Sequence, residues 1–185
     1  NLGWNPDFPN SYNVDMTNPS WQTWLVNRAE TAYQQGARGI KWDVAEPRIA
    51  PGKTRQDVNN AFANVMQTIR ARHPDMRFVV NQGFSIANAR PDLVSGIQHE
   101  SLLSLIAGGH PSWPNEQLAK LKALHDSTGM PVFLAEYGDP WSSQARAMAQ
   151  QIMQMGFVPY ITGRDPITGH NWQLPGLGYN IQPGW

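Results

Sequence analysis

Acidic and amide side chains recur at the ends of short apolar runs. In Gly39-Ile40-Lys41-Trp42-Asp43-Val44-Ala45-Glu46 the run closes on Asp43, breaks into a Pro/Gly loop and carries a second acid, Glu46. Asp15, Asn81 with Gln82, His99 with Glu100, and Glu136 with Tyr137 close other runs of this kind. Two carboxylates flanking a cleft, one held ionised and one in a more apolar setting that favours its protonated form, are the minimum apparatus for glycoside hydrolysis.

Asp43 and Glu100 are the pair to which the sequence gives those roles. Side chains alternate along a strand, so Lys41 and Asp43 share one side and Ile40 and Trp42 the other. A Lys beside a carboxylate favours its ionised form, which suits a nucleophile or a transition-state stabiliser, and a structural ion pair is the competing use. Glu100 is flanked by Ile97 and by Leu102-Leu103, an apolar setting suited to a general acid; the competing use is a solvated strand-end acid. Glu46 is placed to bind a substrate amine or hydroxyl, or to pair with Arg48. Of Glu136 and Tyr137, one faces the interior of the sheet, since they are adjacent on their strand. Asp15 and Asn81 complete the polar set. His99 points away from Glu100 on a regular strand and is read as a packing residue.

Other chemistries are disfavoured. The His at 73, 99, 110, 125 and 170 show no HExxH or other metal spacing, and no G-x-S-x-G elbow is present. With no Cys there is neither a disulfide framework nor a thiolate metal site. Lys+Arg and Asp+Glu both number 14, so the charge balance points to neither nucleic acid nor a membrane surface. No apolar run approaches the ~18 residues of a membrane span. Charged residues make up only 15% of the chain against eight Trp, five Tyr and six Phe, a mixture suited to stacking on sugars and bonding them through neutral groups. Trp42, Trp113, Trp141 and Trp172 fall in or beside strand-end loops, where rings could stack on a saccharide.

The elements that position these residues alternate. Strands are expected at Tyr12–Met16, Gly39–Asp43, Arg77–Asn81, Gly96–Glu100, Pro131–Tyr137 and Phe157–Ile161. Asn18-Pro19 opens a helix whose apolar face is Trp21, Trp24, Leu25, Arg28, Ala29 and Ala32, stopped at Gly36. Thr54 to Asp57 resembles a capping box, ahead of the stripe Val58, Ala61, Phe62, Val65 and Ile69. Further helices begin near Asn115, ending at Gly129, and at Ser142 or Ser143, ending at Gly156. Loops are expected over residues 1–13 and 162–185. Alternating strands and helices mean a parallel sheet, and polar residues at nearly every strand end favour a (β/α)8 barrel over an open nucleotide-binding sheet, which would need a Gly-rich first turn. At 185 residues the chain fits a single domain, residues 1–185, whereas a full barrel takes about 250; two N-terminal strands are therefore expected to be missing.

The runs Asn5-Pro6-Asp7-Phe8-Pro9, Val14-Asp15-Met16-Thr17-Asn18-Pro19-Ser20-Trp21-Gln22 and Gly36-Ala37-Arg38-Gly39-Ile40-Lys41-Trp42-Asp43-Val44-Ala45-Glu46 resemble glycoside hydrolase family 114 in order and spacing. These are endo-α-1,4-polygalactosaminidase-like proteins, similar to the hydrolase domains of Pel-type exopolysaccharide systems. The resemblance implies a (β/α)8 barrel, export to the periplasm or outside the cell, and hydrolysis of a cationic amino-sugar polymer such as a biofilm exopolysaccharide. It places the family's acids at Asp43, Glu46 and Glu100. Asp15, Lys41, Glu46, Asn81, Glu136 and Tyr137 are expected to bind substrate, with no metal and no cofactor, and the chain to act as a monomer on a polysaccharide. Lys41 and Trp42 depart from the family, and Lys-Trp-Asp looks like the nucleophile strand of melibiase-type α-galactosidases. An α-galactosidase-like enzyme and a non-catalytic carbohydrate-binding barrel therefore stand as alternatives.

Overall fold

A computed structural model describes residues 2–5 and 11–163. The loop expected from 164 onward, with Trp172, and the part of the N-terminal loop at 6–10 lie outside the described residues. The elements in order are α1 (Pro19–Gln34), β1 (Gly39–Trp42), α2 (Arg55–Arg72), β2 (Arg77–Asn81), α3 (Phe84–Ala89), β3 (Gly96–Glu100), α4 (Leu102–Ala107), α5 (Ser112–Thr128), β4 (Val132–Tyr137), α6 (Ser143–Gln154) and β5 (Val158–Thr162). The strands run β1-β2-β3-β4-β5 in the sheet. The chain divides into two compact units, Asn1–Ile97 and Gln98–Trp185.

In the first unit β1 pairs parallel with β2, Lys41 opposite Val79. The side chain of Asn18 caps α1 through the Ser20 and Trp21 N–H groups, and Pro19 follows at a position that needs no donor. Thr54 and Asp57 form the reciprocal capping box of α2: Asp57 N–H donates to Thr54 Oγ1 at 3.1 Å and Thr54 N–H to Asp57 Oδ2 at 2.8 Å. Val58, Ala61, Phe62, Val65 and Ile69 of α2 are all buried, as their spacing predicts, and so are Phe78 and Val80 on the matching phase of β2. Burying a side chain the size of Phe78 stabilises the fold by about 1.5–3 kcal/mol. The face expected on α1 is rotated: Val26 and Ala29 are buried, while Trp24 is exposed and stacks on Trp21 at 4.6 Å with the Arg28 guanidinium over it.

The strand expected at Tyr12–Met16 does not form; Trp4 and Tyr12 share only an isolated antiparallel bridge. Asp15 is the physical reason. Its Oδ1 accepts from Thr17 N–H at 2.8 Å and Thr17 Oγ1 at 2.7 Å, and its carbonyl accepts from Asn18 N–H, so the chain turns into α1 there.

In the second unit β4 pairs parallel with β5, Tyr137 opposite Thr162. Leu102, Leu121, Leu134, Ile152, Phe157 and Ile161 form its buried apolar side. Ser142 caps α6 through Ala145 N–H, and α5 ends at Gly129, whose φ of 69° is the left-handed value that glycine adopts without strain. Helices α3 and α4, six residues each, were not expected: neither is long enough to show a helical period.

Candidate active site

In the first unit the end of β1 presents Lys41 and Asp43 on one side. Lys41 Nζ lies 2.9 Å from Asp43 Oδ1, and the Asp43 side chain is 72% exposed. Alternation sends Trp42 the other way, where its ring meets Phe62 edge to face at 5.7 Å. Asn81 ends β2 half-buried, in phase with Val79 and out of phase with buried Phe78 and Val80. The chain then reverses sharply. Gln82 takes the left-handed φ of 52°, and Gly83 follows where a Cβ would come within 2.7 Å of Ala45 Cβ. That close approach requires glycine and brings the β1 loop against the start of α3. Glu46 completes the join: its Oε1 accepts from Ser85 N–H at 2.7 Å, and its Oε2 lies 3.7 Å from Arg55. Arg55 rather than Arg48 is thus the cation beside Glu46.

In the second unit Glu100 ends β3 with both oxygens engaged. Gln98 Nε2 donates to Oε1 at 3.1 Å and the Tyr137 hydroxyl to Oε2 at 3.0 Å. Both donors are neutral, and together they fix the direction of the carboxylate. Directly after it, Ser101 takes a left-handed φ of 61°, and its N–H donates to Ala135 O at 2.8 Å. Left-handed non-glycine residues thus follow both Asn81 and Glu100, each at a strand end turning into a short helix. Such conformations cost of order 1–3 kcal/mol and gather where a side chain must be presented at a fixed angle.

The choice between Glu136 and Tyr137 is resolved by burial. Glu136 is fully buried, in phase with Val132 and Leu134. Its carboxylate accepts from Leu103 N–H at 2.8 Å, Ser104 N–H at 3.0 Å and Ser104 Oγ at 2.6 Å, satisfying the donors at the start of α4. Tyr137 takes the opposite phase and reaches Glu100. His99 is buried opposite Glu100 and meets Trp113 edge-on at 5.4 Å; its Nδ1 accepts from Glu100 N–H at 2.8 Å. Burial pushes the imidazole pKa below its ordinary value, partly offset by the Glu100 backbone and charge.

Gln98, Ser104 and Ser85 escaped sequence reasoning. Gln98 had a signal, because it sits two residues before Glu100 on one face of a strand. The serines had none, since their contacts bridge 32 and 39 residues. Among the described residues no group of three His, Asp or Glu could hold a metal, and no helix is long and apolar enough to cross a membrane.

Parallel strands alternating with helices and polar side chains at the strand ends define an α/β protein of the (β/α)8-barrel kind. The family model of glycoside-hydrolase family GH114 matches residues 2–174, and the chain belongs to that family. Among solved structures, it is similar to the glycoside hydrolase domain of PelA from Pseudomonas aeruginosa, with 23% identity and a TM-score of 0.64 over 90% of this chain and 65% of that one. A variant of the same domain gives 22% identity and a TM-score of 0.67, covering 96% and 70%. Ega3 of Aspergillus fumigatus, solved as a complex with galactosamine, gives 16% identity and a TM-score of 0.63, covering 86% and 63%. The chain therefore spans about two thirds of the length of these domains. No curated protein matches its sequence.

Proposed function

We propose that this protein is a glycoside hydrolase that cleaves an α-linked amino-sugar polysaccharide internally, with Asp43 as nucleophile or stabiliser and Glu100 as general acid/base. The observation that carries the reading is the posture of Glu100. A strand-end carboxylate held at both oxygens by neutral donors has a fixed direction, which is the geometry that proton transfer to a glycosidic oxygen needs. Lys41 Nζ, 2.9 Å from Asp43 Oδ1, is the cation beside the carboxylate that this reading makes the nucleophile. Lys41, Asn81 and Tyr137 contact the sugar in this reading, while Asp15, Glu46 and Glu136 hold the loops and helix starts behind them. Galactosamine bound to Ega3 supports an amino sugar as the substrate class. The same reading has the protein acting as a monomer outside the cytoplasm, on an exopolysaccharide of the kind found in biofilms.

The test is mass-spectrometric product analysis on α-1,4-linked galactosamine oligomers, partly acetylated polymers and α-galactosides. Short amino-sugar oligomers are the expected product. Asp43→Asn and Glu100→Gln should each lower kcat by about 10²–10⁴-fold, with urea midpoints unchanged. Retained turnover in both variants, or no cleavage of any of these polymers by the unmodified protein, would refute the assignment.

A further inference from the structure

Tyr137 has a second neighbourhood besides Glu100. A cavity of about 320 Å³ opens beside it, lined by Tyr137, Gly138, Asp139, Ser104, Gln144 and Met148 among others. That volume lies at the lower end of the ~300–1,000 Å³ range of small-ligand sites. The lining has two chemistries. Ala145, Met148 and Ile161 supply an apolar wall continuous with the small core cluster of α6 and β5. Ser104, Ser142, Gln144 and Asp139 supply polar edges. A pyranose is built the same way, with apolar C–H faces and polar rims.

Asp139 is the one charged side chain among the described residues that line the cavity. Its Oδ1 accepts from Trp141 N–H at 3.0 Å, which leaves Oδ2 for a ligand and sets the highly exposed Trp141 next in the chain. Among the described residues no Lys or Arg lines the cavity. The floor at Gly138 is open as well: a Cβ built there meets nothing within 4 Å, in a backbone conformation that other residues adopt.

We propose that this cavity is a binding subsite for a sugar unit neighbouring the one cleaved, and that Asp139 recognises the ammonium group of an amino sugar there. The Tyr137 side chain joins the two places, with its hydroxyl on Glu100 and its residue in the cavity wall. A substrate reaching from one to the other would carry a free amine on the unit past Tyr137, and acetylation of that amine would remove the charge Asp139 meets. The proposal rests on the polysaccharide reading above for its choice of ligand.

The experiment is a titration of the full chain, followed by amide NMR, with galactosamine and separately with N-acetylgalactosamine. Shifts are expected at Gly138, Asp139, Gln144 and Ala145, with galactosamine binding at least fivefold more tightly than its acetylated form. Asp139→Asn should erase that preference, and Gly138→Leu, which fills the cavity, should abolish the shifts from both sugars while the rest of the spectrum is retained. Equal affinity for the two sugars, an undiminished preference in Asp139→Asn, or shifts confined to other residues would overturn the subsite. Hydrolysis measured on the same samples separates the two readings. Cleavage without binding here removes this proposal alone, and binding without cleavage removes the hydrolase reading alone.

Discussion

Truncating Glu136 to Ala tests whether this buried acid is a strut of the fold. The side chain is fully buried and accepts from the Leu103 and Ser104 N–H groups and from Ser104 Oγ. Removing it leaves two backbone donors at the start of α4 without their acceptor and a hydroxyl without its partner. An unsatisfied buried donor costs about 1–3 kcal/mol, and the hydroxyl can turn to another acceptor, since Ser104 Oγ already lies 3.5 Å from Tyr137 O. Two orphaned donors of which one is half-buried give a loss of about 2–4 kcal/mol. Glu136→Gln keeps one oxygen for Leu103 N–H but turns an NH2 group toward Ser104 N–H, so about half that loss is expected. Urea unfolding at neutral pH, with m-values compared, measures both. An Ala variant within about 0.5 kcal/mol of the unmodified protein, at equal m, would refute the strut. A loss of activity without any loss of stability would return Glu136 to the groove.

Three further outcomes follow from particular contacts. His99 is held neutral by burial, so its folded-state pKa lies below that of the unfolded chain. The unfolded state therefore binds the extra proton first, and stability falls as pH drops below about 6.5, by up to ~1.4 kcal/mol per pH unit. The carboxylates of Glu30, Asp57 and Asp92, lowered chiefly by side-chain hydrogen bonds to His73, Thr54 and Arg90, lose their contributions only below about pH 4.5, so the His99 window is separable. A stability profile flat between pH 7 and 5, or a slope unchanged in His99→Asn, would contradict this. Gly83→Ala forces a Cβ to within 2.7 Å of Ala45 Cβ and 2.9 Å of Val80 Cβ, and should cost about 1–3 kcal/mol in urea unfolding; an unaffected midpoint would show that the β1 loop can yield. Thr54→Ala removes the acceptor for Asp57 N–H and should lower stability by about 1 kcal/mol, read as a drop in thermal midpoint that Thr54→Ser does not show.

The positions of Asp43 and Glu100 at strand ends were available from residue order, since each closes an apolar run. Alternation was enough to put Lys41 with Asp43, and the ion pair at 2.9 Å agrees. It would also have been enough to put Gln98 with Glu100. By contrast, the strand expected at Tyr12–Met16 was lost to the turn that Asp15 makes with Thr17, a local side-chain bond that competes with extended backbone. Trp24 looked like core by spacing and is exposed, because apolar type fixes a helical face only to within a turn and the packing partner selects the rotation.

What the sequence determined by itself was whatever depends on near neighbours: the order of strands and helices, the caps at Asn18, Thr54 and Ser142, and which residues share a strand face. Tertiary structure alone decided the partners of the candidate site residues. Glu46 holds Ser85 and Arg55, Glu136 caps α4, and Tyr137 holds Glu100, because each of those bonds joins separate elements brought together by folding. Periodicity reports the phase of a side chain on its own element, and it carries no information about which distant donor will stand within three ångströms of it.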